Sequence, residues 1–296
     1  MKENKVMNVL SLFDGISCGH IALERAGIKV DKYYASEIKE DGIKVTQYNY
    51  PETIQIGDVT KVSYNKGILY TEKGSYKVGK IDLLIGGSPC QDLSQANKER
   101  KGLNGTKSSL FYEYVRLLNE VKPKYFLLEN VRMTEDNFNL INSLLCCEPI
   151  NINSKLLSAQ LRNRYYWTNI PGVTIPEDKN ILLQDILEYG YTNRKKARCL
   201  LESDSRPLKN EEKMIHRYID TGFTTLIFKD EQHYIDCING KIDKYKGIRY
   251  LNQLELERLQ TLPEGYTKIL SRNKAAGVIG DGWTVDVIAH IFKNIK

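Results

Sequence analysis

Along the first 130 residues, short apolar runs alternate with segments of helical period. Residues 8–13 (NVLSLF) form an apolar run that includes Val and Phe, and DGISCG and HIALERAG follow it. Ile21, Ala22 and Ala26 can share one helix face there and Gly27 ends it, so the stretch predicts strand, tight loop and helix. VDKYYAS, the 38–49 segment and TIQIGDV repeat the alternation. IDLLIGG at 81–87 is a nearly unbroken apolar run, as a parallel strand buried on both faces requires. SLFYEYVRLLNEV predicts a helix with Ser108 or Ser109 as N-cap, and YFLLEN another buried strand. Repeated βαβ units predict an α/β fold with a doubly wound, mostly parallel sheet, whose ligands sit at the carboxyl ends of the strands. Within it, NKGILYTEKGSYKVGK (65–80) predicts a hairpin insertion turning at Lys73-Gly74.

From Gly172 to about Ile248 the pattern changes. TTLIFKD and HYIDCING read with period 2, polar residues increase, and Arg194, Lys195, Lys196 and Arg198 form a basic run. Residues 250–260 (YLNQLELERLQ) return to helical period, and WTVDVIAHIFKNI closes the chain as an amphipathic helix. The expected partition is a main domain over 1–172, a small lobe over 173–248, and a segment, 249–296, that returns to the main domain.

Composition narrows the classes. The 296 residues carry 43 Lys and Arg against 37 Asp and Glu, a net charge of +6, with 41% hydrophobic residues. That is an ordinary globular composition, which excludes a mini-protein or a long repeat array; the mild basic excess is compatible with a polyanion partner without requiring one. The six cysteines (18, 90, 146, 147, 199 and 237) form no Cys-x-x-Cys pair, and none of the four histidines stands at zinc-ligand spacing from a cysteine pair. We therefore expect free thiols and no metal. With no secretory leader pattern and no apolar stretch approaching about 20 residues, the expectation is a cytoplasmic protein without a membrane span.

Candidate chemistry gathers at the predicted strand ends. Gly15 and Gly19 in FDGISCG let backbone approach a ligand closely, although this is not the G-x-G-x-x-G fingerprint, and a glycine-bearing turn alone can be only a turn. The second strand ends at Ser36-Glu37, where a carboxylate can accept from both hydroxyls of a ribose, and the third leads to Gly57-Asp58, placed to receive an adenine amino group. Each acid alone also reads as a solvated loop residue; their succession after three strands points to a nucleoside cofactor. In GGSPCQDLS (86–94), Pro89 stiffens the turn and Cys90 stands at the ligand-bearing edge, where a thiolate can attack. The following loop carries Lys98, Arg100, Lys101 and Lys107 against Glu99. It reads either as a lid over a phosphate backbone or as a surface loop. Glu129, in Glu129-Asn130-Val131, puts a carboxyl group on the edge that bears Cys90, suited to delivering a proton to a ring nitrogen. In QLRNRYYW (160–167), Gln160, Arg162 and Arg164 alternate on one expected strand face, aiming two guanidiniums at one polar target or pairing with structural acids.

Taken in order, FDGISCG, Glu37, Asp58, GGSPCQDLS, ENV, QLRNR, LNQLELERLQTLP and GDGWTV resemble the motifs of the C5-cytosine DNA methyltransferases along nearly the whole chain. FDGI, GGSPC-x-DLS and the Gly-x-x-Trp-x-Val tail are most similar to the de novo animal-type subgroup. Two departures stand out: Ser17-Cys18 occupy the place of paired glycines, and Asp281 that of an Asn.

The resemblance implies a Rossmann-like methyltransferase fold, S-adenosylmethionine as cofactor with S-adenosylhomocysteine as product, and double-stranded DNA as partner; the expected state is a monomer, with an oligomer as the open alternative. It implies Cys90 as the nucleophile at cytosine C6, Glu129 at N3, and Arg164 with Arg162 at the base oxygen or a phosphate. The cofactor would be held by Phe13, Asp14, Gly15, Ile16, Glu37, Ile38, Asp58, Val59, Pro89, Trp283 and Val285. DNA would meet Ser94, Lys98, Arg100 and Lys101 of the loop after Cys90, and Arg194, Lys195, Lys196 and Arg198 of a target-recognition lobe. The target base must leave the duplex to be reached. A tRNA cytosine methyltransferase and a catalytically inactive DNA-binding homologue are the alternatives.

Overall fold

The structure, a computed structural model, describes residues 6–89, 110–222, 224–241, 243 and 245–296. Cys90, Ser94, Lys98, Arg100, Lys101 and Lys107, and the expected caps Ser108 and Ser109, lie outside the described residues.

In chain order the elements are β1 (Val6–Leu12), α1 (Cys18–Arg25), β2 (Lys29–Ser36), α2 (Glu40–Asn49), β3 (Ile54–Gln55), β4 (Ser63–Asn65), β5 (Ile68–Thr71), β6 (Gly74–Lys77), β7 (Leu83–Gly86), α3 (Leu110–Val121), β8 (Tyr125–Asn130), α4 (Glu135–Leu145), β9 (Ile150–Asn153) and β10 (Asn163–Thr168). They are followed by α5 (Glu211–Asp220), α6 (Glu231–Ile238), α7 (Gln253–Leu259), α8 (Arg272–Asp281) and α9 (Val285–Phe292).

The main sheet has seven strands in the order β3-β2-β1-β7-β8-β10-β9. The pairs β3–β2, β2–β1, β1–β7 and β7–β8 are parallel, and β10 runs antiparallel to β8 with Tyr166 opposite Glu129. The apolar runs chose these places: every residue of LLIG in β7 and of YFLLEN in β8 is buried, as strands covered on both faces must be. After β3 the chain returns to the other side of β1, so the winding reverses between β1 and β7. At such a switch point the loops at the carboxyl ends diverge and leave a crevice.

The chain divides into two compact units: one of 1–152, 163–176 and 287–296, the other of 153–162 and 177–286. The first is built on the main sheet, with Leu12, Leu84, Phe111, Tyr114, Leu128 and Trp167 in its core. Trp167 is fully buried and donates from Nε1 to Asn142 Oδ1 at 2.7 Å. The second has its own cluster around Met214, Tyr218, Leu226, Phe228 and Ile248. The second unit thus takes in 153–162 and 249–286 as well as 177–248 of the expected small lobe, and only 287–296 of the C-terminal segment groups with the sheet.

Three local expectations are corrected. HYIDC is not a strand: Asp230 accepts from the His233 backbone N at 2.8 Å and caps α6, which overrides the period-2 reading. TTLIFKD forms only isolated bridges, at Ile227 and Phe228. The hairpin over 65–80 becomes a three-stranded antiparallel sheet, β4-β5-β6, and its tip turns on Glu72-Lys73, one residue earlier than expected. Gly74, at φ 127°, opens the returning strand, where Thr71 Oγ1 donates to its carbonyl.

Candidate active site

The turn after β1 carries three residues with left-handed backbone: Phe13 (φ 57°), Gly15 (φ 61°) and Ser17 (φ 56°). Only glycine adopts this region without cost, so the other two need outside support. Asp14 supplies it. Its carboxylate accepts from Ser11 Oγ (2.6 Å), Ser17 Oγ (2.5 Å) and Tyr33 Oη (2.8 Å), and its backbone N donates to Ser36 O. Ser17 therefore holds the left-handed position that the family pattern gives to glycine, its hydroxyl fixed by Asp14 and within 3.1 Å of Thr46 Oγ1. Burial raises the Asp14 carboxyl above its ordinary value against the pull of these donors. Behind the turn, the His20 ring stacks between Tyr33 and Tyr50 at 4.7 and 4.0 Å, and burial lowers its pKa to about 4.

Glu37 follows β2 and closes the turn from the other side. Its Oε2 accepts from Gly15 N at 2.7 Å, and Oε1 accepts from Ile38 N and Lys39 N, both at 2.8 Å. Beside it Ile38 is 72% exposed, an apolar side chain facing solvent next to a fixed carboxylate. After β3, Asp58 caps a short 3₁₀ turn by accepting from Thr60 N at 2.9 Å. Ile16 and Val59 are buried, and Val59 packs into the core of the first unit.

On the other side of the switch point, β7 and β8 end side by side, with Gly86 paired to Leu128. A Cβ on Gly86 would lie 3.0 Å from the Tyr114 ring and 3.1 Å from Leu12 O, so glycine sets how closely the layers approach. Ser88 Oγ accepts from Asn130 Nδ2 at 3.1 Å, and Asn130 Oδ1 accepts from Val131 N. This ties the segment leading through Pro89 to the end of β8. Glu129, 8% exposed, has Oε1 2.8 Å from Arg164 Nε.

The two guanidiniums do not share a target. β10 starts at Asn163, so Gln160 and Arg162 are not on that strand. Arg162 is 4% exposed and donates from Nη1 to Leu200 O (3.0 Å) and Gly280 O (3.3 Å) and from Nη2 to Gly282 O (2.8 Å). It holds loops of the second unit together, and its expected catalytic support of Arg164 is replaced by this packing role.

The basic run divides as well. Lys196 Nζ donates to the carbonyls of Lys155 (2.7 Å), Ser158 (3.0 Å) and Ile181 (2.6 Å), and burial lowers its pKa. A cation held by three carbonyls is a backbone clamp rather than a phosphate ligand. The Arg194 guanidinium lies 4.5 Å from the Tyr218 ring centre, whereas Lys195 and Arg198 are exposed.

Several side chains of these sites escaped the sequence reading. Ser11 and Ser17 stand three residues to either side of the expected Asp14, a signal visible in retrospect; Tyr33 gave none. In the second unit a buried network runs from Ser154 Oγ to Thr284 Oγ1 (2.8 Å) and on to Gln260 Oε1 (2.7 Å), which Gln160 Nε2 also reaches at 2.8 Å. It fixes the turn carrying half-buried Trp283 and buried Val285, whose N donates to Gln260 O. Among the described residues, no group of three or more His, Cys, Asp or Glu side chains could hold a metal ion, and no helix is long and apolar enough to cross a membrane.

A doubly wound, mostly parallel sheet with acids and glycine-bearing turns at consecutive strand ends defines an α/β protein with a Rossmann-like fold. Residues 7–145 and 151–296 match the C-5 cytosine-specific DNA methylases, and the chain belongs to that family. It is 36% identical over 285 residues to the orphan methyltransferase M.SPRI of Bacillus phage SPR, covering 88% of this chain and 60% of the phage protein. To the type II methyltransferase M1.ScrFI of Lactococcus lactis subsp. cremoris it is 26% identical over 311 residues, 95% of this chain and 75% of that one. The structure is similar to that of the Entamoeba histolytica methyltransferase EhMeth, with a TM-score of 0.69 over 99% of both chains at 16% identity, a likeness of fold.

Proposed function

We propose that the protein is an S-adenosylmethionine-dependent DNA (cytosine-5)-methyltransferase that flips its target cytosine out of double-stranded DNA. The observation that carries this reading is the Glu129–Arg164 pair at the end of β8, beside the strand that leads to Pro89 and Cys90.

The residues at the ends of β1, β2 and β3 fit the cofactor. A Cβ built on left-handed Gly15 meets nothing within 4 Å, so backbone is open to a ligand there. Glu37 is aimed by three amides, Ile38 offers an apolar face to a base, and Asp58 stands one strand further on. Glu37 would bind the ribose hydroxyls, Asp58 the adenine amino group, and the Phe13–Ile16 turn the remainder, with Pro89 completing the set. When bound, S-adenosylmethionine supplies an electrophilic methyl group to cytosine C5.

Cytosine C5 is a weak nucleophile, so the ring must first be activated. The Cys90 thiolate adds to C6, and Glu129 gives a proton or hydrogen bond to N3, so that the electron pair of the former C5–C6 double bond becomes available at C5. After methylation, C5 loses its proton to solvent, the pair left at C5 re-forms the C5–C6 double bond as the C6–S bond breaks, and N3 returns its proton to Glu129, which restores the thiolate, the carboxyl and aromaticity. Arg164 lies in ion-pair contact with the Glu129 carboxyl and presents a cation to the base oxygen or an adjacent phosphate. Unflipped, the base is shielded by stacking, and extrusion costs a few kcal/mol that pocket interactions return. In the second unit, Lys195 and Arg198 are the members of the basic run offered to DNA. The likeness to the de novo animal-type subgroup rests on FDGI, GGSPC-x-DLS and Gly-x-x-Trp-x-Val. We place the enzyme in the cytoplasm of a bacterium or phage-infected cell, because M.SPRI and M1.ScrFI are phage and bacterial proteins.

Methyl incorporation into duplex DNA and into tRNA, compared side by side and followed by bisulfite sequencing, tests the reading. Incorporation into tRNA alone would replace the substrate, and incorporation into neither would leave an inactive homologue. With 5-fluorocytosine at the target, proton loss from C5 is blocked and a denaturant-stable protein–DNA adduct should accumulate.

A further inference from the structure

The hairpin insertion ends beside the proposed adenine site. Glu72 is the first residue of its tip turn and is exposed, as a glutamate at a turn usually is, yet its carboxylate reaches back 14 residues to accept from Asp58 N at 3.0 Å. Gly57 makes this possible. At φ 80° it takes a left-handed conformation, and a Cβ there would fall 2.1 Å from Glu72 Oε1, inside the carboxylate. The same peptide is held from the opposite direction, since Gly57 O accepts from the buried Ser36 Oγ at 2.8 Å. The Gly57–Asp58 peptide is thus gripped on both sides, by β2 and by the hairpin.

The hairpin is itself braced. Tyr64 N donates to Glu120 Oε2 of α3 at 2.8 Å, Arg116 Nη2 donates to Val62 O at 2.7 Å, and Leu69 is fully buried in the core of the first unit. Thr71 Oγ1 fixes the tip by donating to Gly74 O and accepting from Lys73 N. Such anchoring gives Glu72 a defined position, whereas a glutamate on a loose loop would lose too much side-chain freedom for one exposed hydrogen bond to hold it.

We propose that Glu72 is a positioning residue of the cofactor site: by holding the Asp58 amide it sets the Asp58 carboxylate for the amino group of adenine, and so contributes to selecting adenine over a base that lacks that donor. This rests on the proposed S-adenosylmethionine site.

The test is calorimetric binding of S-adenosylhomocysteine and of S-inosylhomocysteine, in which a carbonyl replaces the amino group, to the intact protein and to Glu72→Ala and Glu72→Gln. Glu72→Ala should bind S-adenosylhomocysteine about fivefold to tenfold more weakly and the inosyl compound almost unchanged, so the preference shrinks. Glu72→Gln keeps an oxygen acceptor and should stay within about twofold of the parent. A thermal melt of each variant confirms folding. An unchanged preference in folded Glu72→Ala would overturn the inference while the parent's binding keeps the cofactor reading; a parent that binds neither ligand would overturn that reading and the inference with it.

Discussion

At the carboxyl edge of the sheet, charged side chains are fixed so that they still have something to offer. Glu37 is aimed by three amides at a turn with open backbone, and Glu129 is held by a single guanidinium. The second unit treats its cations differently. Arg162 is closed in by three carbonyls and Lys196 by three others, while Lys195 and Arg198 remain on the surface. Arg162 and Arg164 stand two residues apart, yet one closes on carbonyls of its own unit and the other pairs with the Glu129 carboxylate. A charge acquires its role from what satisfies it, and a burial that satisfies every donor removes the group from chemistry.

The strongest challenge to that comparison is at the edge itself. Cys90→Ala should lower methyl transfer by about three orders of magnitude or more while S-adenosylhomocysteine binds as before. Retained turnover would sink the mechanism. Next, the two arginines should separate cleanly. Arg164→Ala is expected to reduce turnover roughly a hundredfold with little change in melting temperature. Arg162→Ala, which strands buried carbonyls, should lower stability by roughly 2–4 kcal/mol, with any activity loss following the folded fraction. If steady-state kinetics and melts gave the reverse, the assignments would be exchanged.

A third measurement concerns pH. The folded protein depresses His20 from 6.5 to about 4, so between these values the unfolded chain binds more protons. The His20 contribution to stability is complete above pH 6.5 and is lost as pH falls through 4, about 3 kcal/mol in all. His20→Phe should flatten denaturation midpoints across that window; an unaltered acid slope would mean another group titrates. The smallest effect belongs to the surface. Replacing Lys195 and Arg198 by Ala should reduce the salt slope of DNA binding by roughly 0.9 for each phosphate left unneutralised, whereas Lys196→Ala should leave the slope alone and lower the melting temperature. Equal slopes for both variants would erase the distinction between clamped and exposed cations.

How far the sequence disclosed all this follows from the range of the forces involved. IDLLIGG and YFLLEN were legible because burial on both faces of a sheet writes an unbroken apolar run. The strand ends were legible too, which placed Glu37, Asp58 and Glu129 at one edge. HYIDCING failed because a side-chain cap decides between helix and strand where period is ambiguous. QLRNR failed because alternation presumes a continuous strand, whereas the chain passes from one compact unit to the other between Arg162 and Asn163. Lys196 and Glu72 were beyond reach, since no local pattern records which distant carbonyl or amide a long side chain will meet.

The chain has two tryptophans, and they fall in different units: Trp167 enclosed in the sheet core, Trp283 half-buried on a turn of the second. The molecule therefore carries an intrinsic fluorophore in each half. Trp283→Phe leaves only Trp167 to emit, blue and shielded from aqueous quenchers until the sheet opens. Trp167→Phe leaves an indole whose quenching by iodide follows the second unit alone. Denaturation recorded on the pair would show whether the halves melt as one cooperative body or in succession, without any label attached.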